Sequence, residues 1–276
     1  MITRNRLALA KRSIRCFIDQ TYPRRELVIV SEGDRAYCRA LENHLEDRGI
    51  DNARVIAVAP GATLGKLRNL SLDAAAGDIM CQWDDDDCYH PDRALRQVEE
   101  MTRQQARACF LTDNLQLFEA DGKLFWLDWT IHEDDPEPYR LFPPAVVFFK
   151  DGRFRYPETG PRASLGEDLD LATDLCREVP VAMLGGMGWL YLYVFHGTNT
   201  CLKEHHYSLA AARAFPNQWM EARSAEIRGA MQYYPIPGPV VVHGARGPVF
   251  SMPSRPSVQP AVTDAGIGVK PARPSA

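Results

Sequence analysis

The sequence lacks an excess of positive charge. Its 32 lysines and arginines are outnumbered by 36 aspartates and glutamates, which gives a net charge of −4. Proteins that bind nucleic acid neutralise its phosphates with clustered lysine and arginine, and the sequence has no such cluster. We therefore expect no nucleic acid partner, and nothing in the charge pattern indicates docking on an anionic membrane.

The sequence also lacks a long hydrophobic run and the apolar core of a signal peptide. Charged residues appear within the first six positions, and the longest apolar stretch, residues 181–195, is interrupted by Gly185, Gly186 and Gly188. A helix that crosses a bilayer needs about 20 apolar residues. The stretch therefore predicts two buried strands, and we expect no transmembrane segment.

Paired cysteine motifs are missing as well. The seven cysteines are odd in number and dispersed, without a Cys-x-x-Cys pair. Such a set is typical of reduced thiols and not of a disulfide framework. This distribution predicts a cytoplasmic location.

The first 113 residues do contain a regular alternation of helical and β-rich segments. Helical patterns cover residues 7–20, 36–48, 64–76 and 91–104, and β-rich runs cover residues 26–30, 54–58, 77–83 and 108–112. Alternation on this spacing is typical of βαβ units. We therefore expect an α/β fold with a mixed, mostly parallel sheet flanked by helices.

The pattern changes after residue 113. Two apolar runs separated by a segment with Asp121-Gly122 predict a β-hairpin, and a helix is expected over 164–177, with a helical stretch over 209–231. From residue 235 to 276 the chain is rich in proline, glycine, serine and alanine, which predicts a disordered tail. We therefore divide the chain into residues 1–113, 114–234 and 235–276.

Four consecutive aspartates, residues 84–87, follow the apolar run 77–83. Pro91 and a series of helix formers come next, which marks a helix start, so the acids leave the carboxyl end of a strand, where ligands of open α/β sheets bind. Adjacent carboxylates stay ionised together only when a cation or hydrogen-bond donors compensate them. Because oxygen ligands suit Mg²⁺ or Mn²⁺, a metal site is favoured over a solvated acidic turn.

Further polar residues occupy comparable positions. Glu32 follows a β-rich run, and Arg68 belongs to a Gly-x-x-Arg-Asn motif that opens a helix. Taken alone, Glu32 predicts a turn cap and Arg68 a surface cation. Glu167 and Asp168 fall in the first turn of a predicted helix, where the helix dipole favours ionised carboxylates. They are therefore either simple capping groups or candidates for a general base.

In their order along the chain, these features resemble family 2 glycosyltransferases of the GT-A fold. The order is a strand followed by an acid, the Gly-x-x-Arg-Asn helix, a strand that ends in Asp-x-Asp-Asp with a proline nearby, and a Glu-Asp pair on a later helix. The resemblance is best over residues 16–95, extends more weakly to residue 200, and does not include the tail.

The resemblance implies an inverting transferase that moves a sugar from a nucleotide-diphosphate donor to a hydroxyl acceptor. The acceptor would be a glycan or a lipid-linked glycan in surface-polysaccharide or glycoconjugate assembly, and the cofactor would be Mn²⁺ or Mg²⁺. Asp168 would be the catalytic base, and Glu167 would orient the base or the acceptor. The metal ligands implied are Asp84, Asp86 and His196. The nucleotide-sugar contacts implied are Thr3, Arg6, Glu32, Arg68, Asp84 and Asp85.

The sequence departs from the family pattern in two places. The chain opens at Met1-Ile2, so the first strand of the nucleotide half is nearly absent. Either the start lies further upstream or the nucleotide pocket lacks a wall. The acid pair that usually follows the second strand appears here as Ser31-Glu32, which makes nucleobase recognition the least constrained part of the interpretation.

Other protein classes share parts of this pattern. A nucleotidyltransferase would carry a glycine-rich, basic loop near the N-terminus, and a haloacid-dehalogenase-type phosphatase would not have Cys88 in its motif. An EF-hand is excluded because the loop lacks its glycine and distal glutamate. A sugar-nucleotide-binding protein without turnover stays open as the non-enzymatic alternative.

Overall fold

The computed structural model describes residues 1–132 and 134–254. Up to residue 111, the four predicted helices and four predicted strands begin and end within two residues of the predicted positions, and the two-residue strands Ile2–Thr3 and Cys88–Tyr89 are additional. The elements in this part are β1 (Ile2–Thr3), α1 (Leu7–Ile18), β2 (Leu27–Ser31), α2 (Arg35–Asp47), β3 (Ala53–Ala57), α3 (Leu64–Ala74), β4 (Ile79–Cys81), β5 (Cys88–Tyr89), α4 (Arg93–Arg103) and β6 (Ala108–Leu111).

The second part contains the predicted hairpin and strands, and also elements that the sequence did not predict. The predicted helical stretch over 209–231 is three helices, the first of which begins at Lys203. The elements are β7 (Asp113–Phe118), β8 (Lys123–Asp128), β9 (Phe142–Phe149), α5 (Glu167–Glu178), β10 (Val181–Leu184), β11 (Tyr191–Phe195), α6 (Lys203–Arg213), α7 (Asn217–Ala222), α8 (Ser224–Met231), β12 (Val240–Gly244) and β13 (Gly247–Met252).

Within the described residues, the strands form three sheets. The first has the order β1-β2-β3 and is parallel throughout; the second has the order β10-β6-β9-β4, and the third β13-β12-β8-β7-β11-β5. Parallel and antiparallel pairs both occur in the second and third sheets. The expected α/β class, with mixed sheets flanked by helices, is confirmed.

Strand β9 is the main element that the sequence did not predict. It lies antiparallel between β4 and β6, and its register with β6 shifts between Cys109 and Leu111. Pro143 and Pro144 stand near that irregularity. Proline removes a backbone donor and normally argues against a central strand. The local sequence therefore did not predict β9, which is stabilised by pairing with β4 and β6.

The predicted disorder from residue 235 onward is wrong for residues 240–252, which form the β12–β13 hairpin. Strand β12 continues the third sheet by pairing in parallel with β8, with Val242 opposite Leu124. Val240, Val242 and Met252 are buried, so a short apolar alternation outweighs the proline-rich composition. The remainder of the predicted tail, residues 255–276, lies outside the described residues.

The helices pack onto the sheets through one apolar face each. In α1, for example, Ala10, Ile14 and Phe17 are buried while Arg15 is exposed. Burial of such a face contributes most of a helix's stability in a folded protein. Among residues 1–132 and 134–254, no helix combines the length and the apolar character that crossing a membrane requires.

The short strand β1 connects two sheets next to the acid segment. Ile2 pairs with Val30 of β2 and also forms a parallel bridge with Asp84, beyond the end of β4. The Met1 amino group is buried and donates to the Val28 carbonyl at 2.7 Å, and burial lowers its pKa to about 5. A cavity of about 440 Å³ lies beside it, lined by residues of β2 and β4. Strand β1 therefore fixes the position of the aspartates.

We expect a methyl group at Gly65, in the first turn of α3, to be poorly tolerated. Its Cβ would lie 1.9 Å from the Pro157 carbonyl oxygen, and the Gly65 N–H already donates to the Ala163 carbonyl at 2.8 Å. Forcing extra volume into such a contact costs about 1–3 kcal/mol. Urea unfolding of Gly65→Ala should show a loss of this size. Gly152→Ala is the control, because no heavy atom lies within 4 Å of its Cβ, and an equal loss in both variants would contradict the expectation.

Candidate functional site

The four aspartates lie between β4 and β5, at the end of a strand as the sequence predicts. Strand β5 pairs in antiparallel fashion with β11, with Cys88 opposite Leu192. Continued in the same register, the chain before β5 runs alongside the end of β11 and reaches the residues that follow it. The pairing thus brings Asp86 together with His196, although 110 residues separate them in the sequence.

Asp86 and His196 form the first contact of the site. His196 Nε2 lies 3.1 Å from Asp86 Oδ2, and the same oxygen accepts a hydrogen bond from Arg6 Nη1 at 3.0 Å. The Thr198 hydroxyl lies 3.0 Å from His196 Nδ1 and orients the ring. Burial raises the pKa of Asp86, but the hydrogen bond from His196 and the charge of Arg6 outweigh it and leave the pKa below the ordinary carboxyl value. Asp86 is therefore held as a carboxylate.

Arg68 forms the second contact, between the two halves of the site. Its Nη2 lies 2.9 Å from Asp84 Oδ1, and its Nε donates to Glu167 Oε1 at 2.8 Å. Burial alone would lower the pKa of the guanidinium, but Asp84 and Glu167 raise it well above its usual value. The neighbouring Asn69 side chain bonds both the N–H and the carbonyl of Tyr156. The Arg-Asn motif thus joins the acid segment to the start of α5.

Asp168 lies next to this pair, partly buried in the first turn of α5. Burial and the negative charge of Glu167 raise its pKa to about 7, against the opposing charge of Arg68. Asp84 also acts on Asp168 through its charge and raises the pKa further. The structure therefore brings both predicted acids of α5 to the aspartate segment and gives one of them a pKa near neutrality.

Asp85 and Asp87 are both buried, but they differ in their hydrogen-bond partners. Asp85 Oδ1 accepts from Arg6 Nη2, while its Oδ2 is buried without a hydrogen-bond partner. Burial and then Asp86 raise the pKa of Asp85 to about 7. Asp87 accepts from the Tyr191 hydroxyl at 2.6 Å and from the Val194 N–H at 2.9 Å, and burial followed by the charge of Asp86 raises its pKa well above the usual range. Asp87 thus stabilises the packing of the segment before β5 against β11.

Two predicted nucleotide contacts are occupied by other parts of the chain. Thr3 is buried, and its hydroxyl is hydrogen-bonded to the Tyr37 hydroxyl. Glu32 Oε1 accepts from the N–H groups of Gly61 and Ala62, each at 3.0 Å. The Glu32 contacts fix the loop between β3 and α3, and the Thr3 contact joins β1 to α2. A nucleotide role for either residue stays a prediction.

The sequence analysis missed the residues of α1 and α4 that bond the backbone of the acid segment and of the residues just before it. The Ser13 hydroxyl donates to the Asp84 carbonyl at 2.7 Å, and Arg12 Nη2 donates to the Asp86 carbonyl at 2.8 Å. Arg93 is fully buried, with its guanidinium 4.6 to 5.6 Å from three aromatic rings and Nη1 donating to the Gln82 carbonyl at 3.1 Å. An amphipathic pattern places such residues on a helix but gives no sign of what they contact.

The donor set fits a divalent ion that is shared with a phosphate ligand. Carboxylate oxygen and imidazole nitrogen converge at Asp86 and His196, a chemistry compatible with Mn²⁺. Asp84, the third predicted ligand, instead bonds Arg68 and Gln82. Within the part of the chain that the structure describes, no three histidine, cysteine or acidic side chains are close enough to hold a metal by themselves. Mg²⁺-type ions are commonly held by one or two protein ligands together with substrate phosphates.

Comparison with known proteins identifies the fold and the family. The fold is shared with GT-A glycosyltransferases, which defines the class of protein. The family model described as Glycosyl transferase family 2 matches residues 1–143, and the chain therefore belongs to glycosyltransferase family 2 and is a glycosyltransferase. A comparison with curated protein sequences finds no match.

Two of the similar solved structures are glycosyltransferases of low sequence identity to this chain. S. aureus TarS 1–349 in complex with UDP is 15% identical at a TM-score of 0.57, over 83% of this chain and 70% of that chain. The mannosyltransferase PcManGT from Pyrobaculum calidifontis, in complex with GDP-Man and Mn²⁺, is 14% identical at a TM-score of 0.54, over 85% of this chain and 66% of that one. At this identity the likeness shows the fold.

We expect Asp87→Ala to destabilise the protein and Asp86→Ala to leave it nearly as stable as the wild type. Asp87→Ala leaves the buried Val194 N–H without its acceptor, and an unsatisfied buried group costs about 1–3 kcal/mol. Asp86→Ala removes the contacts with His196 and Arg6, but Arg6 keeps its contact with Asp85. It also removes the charge that raises the pKa of both Asp85 and Asp87, so the losses and gains offset. Urea unfolding at pH 7 checks both, and Asp87→Asn, which retains an acceptor, should lose less than Asp87→Ala. Equal losses for Asp86→Ala and Asp87→Ala would contradict the assignment of Asp87 to the fold.

Proposed function

We propose that this glycosyltransferase transfers a hexose from a nucleoside-diphosphate donor to a hydroxyl acceptor, with Mn²⁺ or Mg²⁺ and with inversion at the anomeric carbon. The acceptor would be a glycan or a lipid-linked glycan in surface-polysaccharide or glycoconjugate assembly. We also retain the expectation of a cytoplasmic location, which rests on the odd, dispersed set of seven cysteines.

The observation that carries the proposal is the meeting of Asp86 and His196 at 3.1 Å. An acidic cluster alone would be explained by a solvated turn. A histidine from the end of another strand, oriented by Thr198 and directed at one carboxylate oxygen, supports a pair of candidate ligands. When bound there, a divalent ion would act as a Lewis acid toward the departing diphosphate.

The similar structures support a nucleotide-sugar donor. TarS 1–349 has been solved with UDP and also with UDP-GlcNAc, and PcManGT with GDP-Man and Mn²⁺. Arg6 and Arg68, the two arginines predicted to contact the donor, carry guanidinium groups of the kind that bond phosphate oxygens. These features favour a nucleoside diphosphate and do not distinguish uridine from guanosine.

Asp168 has a pKa suited to a general base. A base works best when its pKa is near the operating pH, and burial together with Glu167 raises the pKa of Asp168 to about 7. In the proposed step, Asp168 accepts the proton of the acceptor hydroxyl as the hydroxyl oxygen attacks the anomeric carbon. Direct attack opposite the leaving diphosphate inverts the configuration, and no sugar–enzyme bond is formed. Glu167, held by Arg68, positions the base by its charge and by fixing the first turn of α5.

We expect calorimetric titration with UDP and GDP to show that one nucleotide binds and that its binding requires Mn²⁺. Asp86→Ala should abolish the metal-dependent part, because it removes the carboxylate that faces His196. Asp47→Ala is the matched control, since Asp47 is an exposed acid at the end of α2. Binding of neither nucleotide, or metal dependence that survives in Asp86→Ala, would refute the assigned donor site.

The pH dependence of donor hydrolysis, with UDP-GlcNAc and GDP-mannose as probes and water as acceptor, tests the base. Because Asp168 must be ionised to accept a proton, the rate should rise as the pH passes through about 7. Asp168→Asn should lower the rate by about 10²- to 10⁴-fold. In Glu167→Gln a negative neighbour is lost, so the pKa of Asp168 should fall and the rise should move to lower pH.

Asp170→Asn is the control for this profile. Asp170 lies in the same first turn of α5 but pairs with Arg162 at the surface, so its loss should leave the position of the rise unchanged. A rate that does not depend on pH near 7, or a rise that Glu167→Gln leaves in place, would show that Asp168 is not the base.

A further inference from the structure

A guanidinium group covers the carboxylates at which the divalent ion is proposed to bind. Arg6 Nη1 donates to Asp86 Oδ2 at 3.0 Å, and Arg6 Nη2 contacts Asp85 Oδ1. Asp86 Oδ2 is the same oxygen that faces His196 Nε2 at 3.1 Å. The oxygen best placed to bind a cation therefore already has a positively charged partner from the chain itself.

Burial shows that Arg6 is the outermost member of this group. The Asp85 side chain is 1% exposed and the Asp86 side chain 17%, whereas Arg6 is 34% exposed. An ion that approaches from solvent therefore meets the guanidinium before the two carboxylates. Behind it, Asp85 Oδ2 is buried without a hydrogen-bond partner, so the carboxylate pair has acceptor capacity that Arg6 does not use.

The position of Arg6 in the chain lets its side chain move without loss of secondary structure. Arg6 precedes the first residue of α1, and its carbonyl accepts the Ala10 N–H at 3.0 Å. The backbone is thus fixed by the helix, while the hydrogen bonds of the side chain within the described residues go to the two aspartates. A side chain anchored in this way can exchange one anionic partner for another by rotation of its own bonds.

The chemistry of the guanidinium identifies its alternative partner. Arginine carries five donors and no acceptor, and it bonds planar or tetrahedral oxyanions in a two-point manner. If a cation takes over Asp86, the guanidinium needs another anion, and the diphosphate of the donor supplies one. A metal alone would displace Arg6 from its carboxylates and leave it with no new partner, whereas a metal with a nucleoside diphosphate would satisfy every charge.

We propose that Arg6 acts as an internal cation that occupies the metal-binding carboxylates of the unliganded enzyme and transfers to the donor diphosphate when the metal binds, so that metal and nucleotide bind cooperatively. This inference rests on the proposed function. Its consequence is that the metal and the nucleotide raise each other's affinity by the same factor. In proteins such a coupling is commonly 5- to 150-fold, which corresponds to about 1–3 kcal/mol.

The test is Mn²⁺ binding measured by the loss of the free-ion electron paramagnetic resonance signal, with and without UDP or GDP. Wild-type protein should bind Mn²⁺ weakly alone and much more tightly with the nucleotide. Arg6→Gln should bind Mn²⁺ alone about 5-fold or more tightly than wild type, because the competing cation is gone, and the gain from nucleotide should shrink. Asp86→Asn supplies the signal from ions held elsewhere or by free nucleotide.

Two further variants make the outcome decisive. Arg4→Gln removes the same charge from an exposed residue of the same segment and should behave as wild type, which separates local competition from net charge. Arg6→Lys retains the charge but cannot bridge both carboxylates, so it should lie between wild type and Arg6→Gln, and it serves if Arg6→Gln fails to fold.

Unchanged or weaker Mn²⁺ binding in the Arg6 variants, beside nucleotide-dependent binding in wild type, overturns the inference and leaves the proposed function standing. Wild-type protein that binds no Mn²⁺ with either nucleotide overturns both.

Discussion

The site depends on holding four adjacent carboxyl groups in one small volume. Like charges at such a distance raise one another's pKa, and burial adds to the effect. The fold compensates each carboxyl group in a different way. Asp84 forms a salt bridge with Arg68, while Asp85 shares Arg6 and has a raised pKa. Asp86 contacts His196, and Asp87 accepts hydrogen bonds from a strand of the third sheet.

The compensating groups come from distant parts of the chain, and this makes the charge balance a constraint on the whole fold. Arg6 follows β1, Arg68 lies in α3, and His196 follows β11. A buried charge that loses its partner costs several kcal/mol, so a change in the register of any of these elements would leave a carboxylate or a guanidinium uncompensated. The carboxylates are thus both the proposed ligands and a reason why these elements must pack in one arrangement.

The parts of the site that could be predicted from the sequence are those fixed by local order along the chain. Strand ends and helix starts placed Asp86, Arg68 and the Glu-Asp pair of α5 correctly, because these depend on nearby residues. The separate roles of the four aspartates could not be predicted, because identical residues in one loop differ only through the register of β5 with β11. Strand β9 and the hairpin β12–β13 were missed for a related reason, since the prolines within or beside them argue against strands locally, while pairing with neighbouring strands stabilises them.

Each of the two central arginines is shared by a pair of acids, and this sharing couples the donor side to the proposed base. Arg68 contacts Asp84 and Glu167, and both acids raise the pKa of Asp168 while Arg68 lowers it. The ionisation of Asp168 therefore depends on the charge present at Asp84, even though the two carboxyl groups belong to different halves of the chain. Glu167 acts on Asp168 through its charge and also accepts the Nε–H of Arg68, so it influences the base both directly and through the arginine that it positions. Glutamine removes the charge and keeps an oxygen acceptor for Arg68, and a cycle that combines Glu167→Gln with a change at Arg68 separates the two contributions.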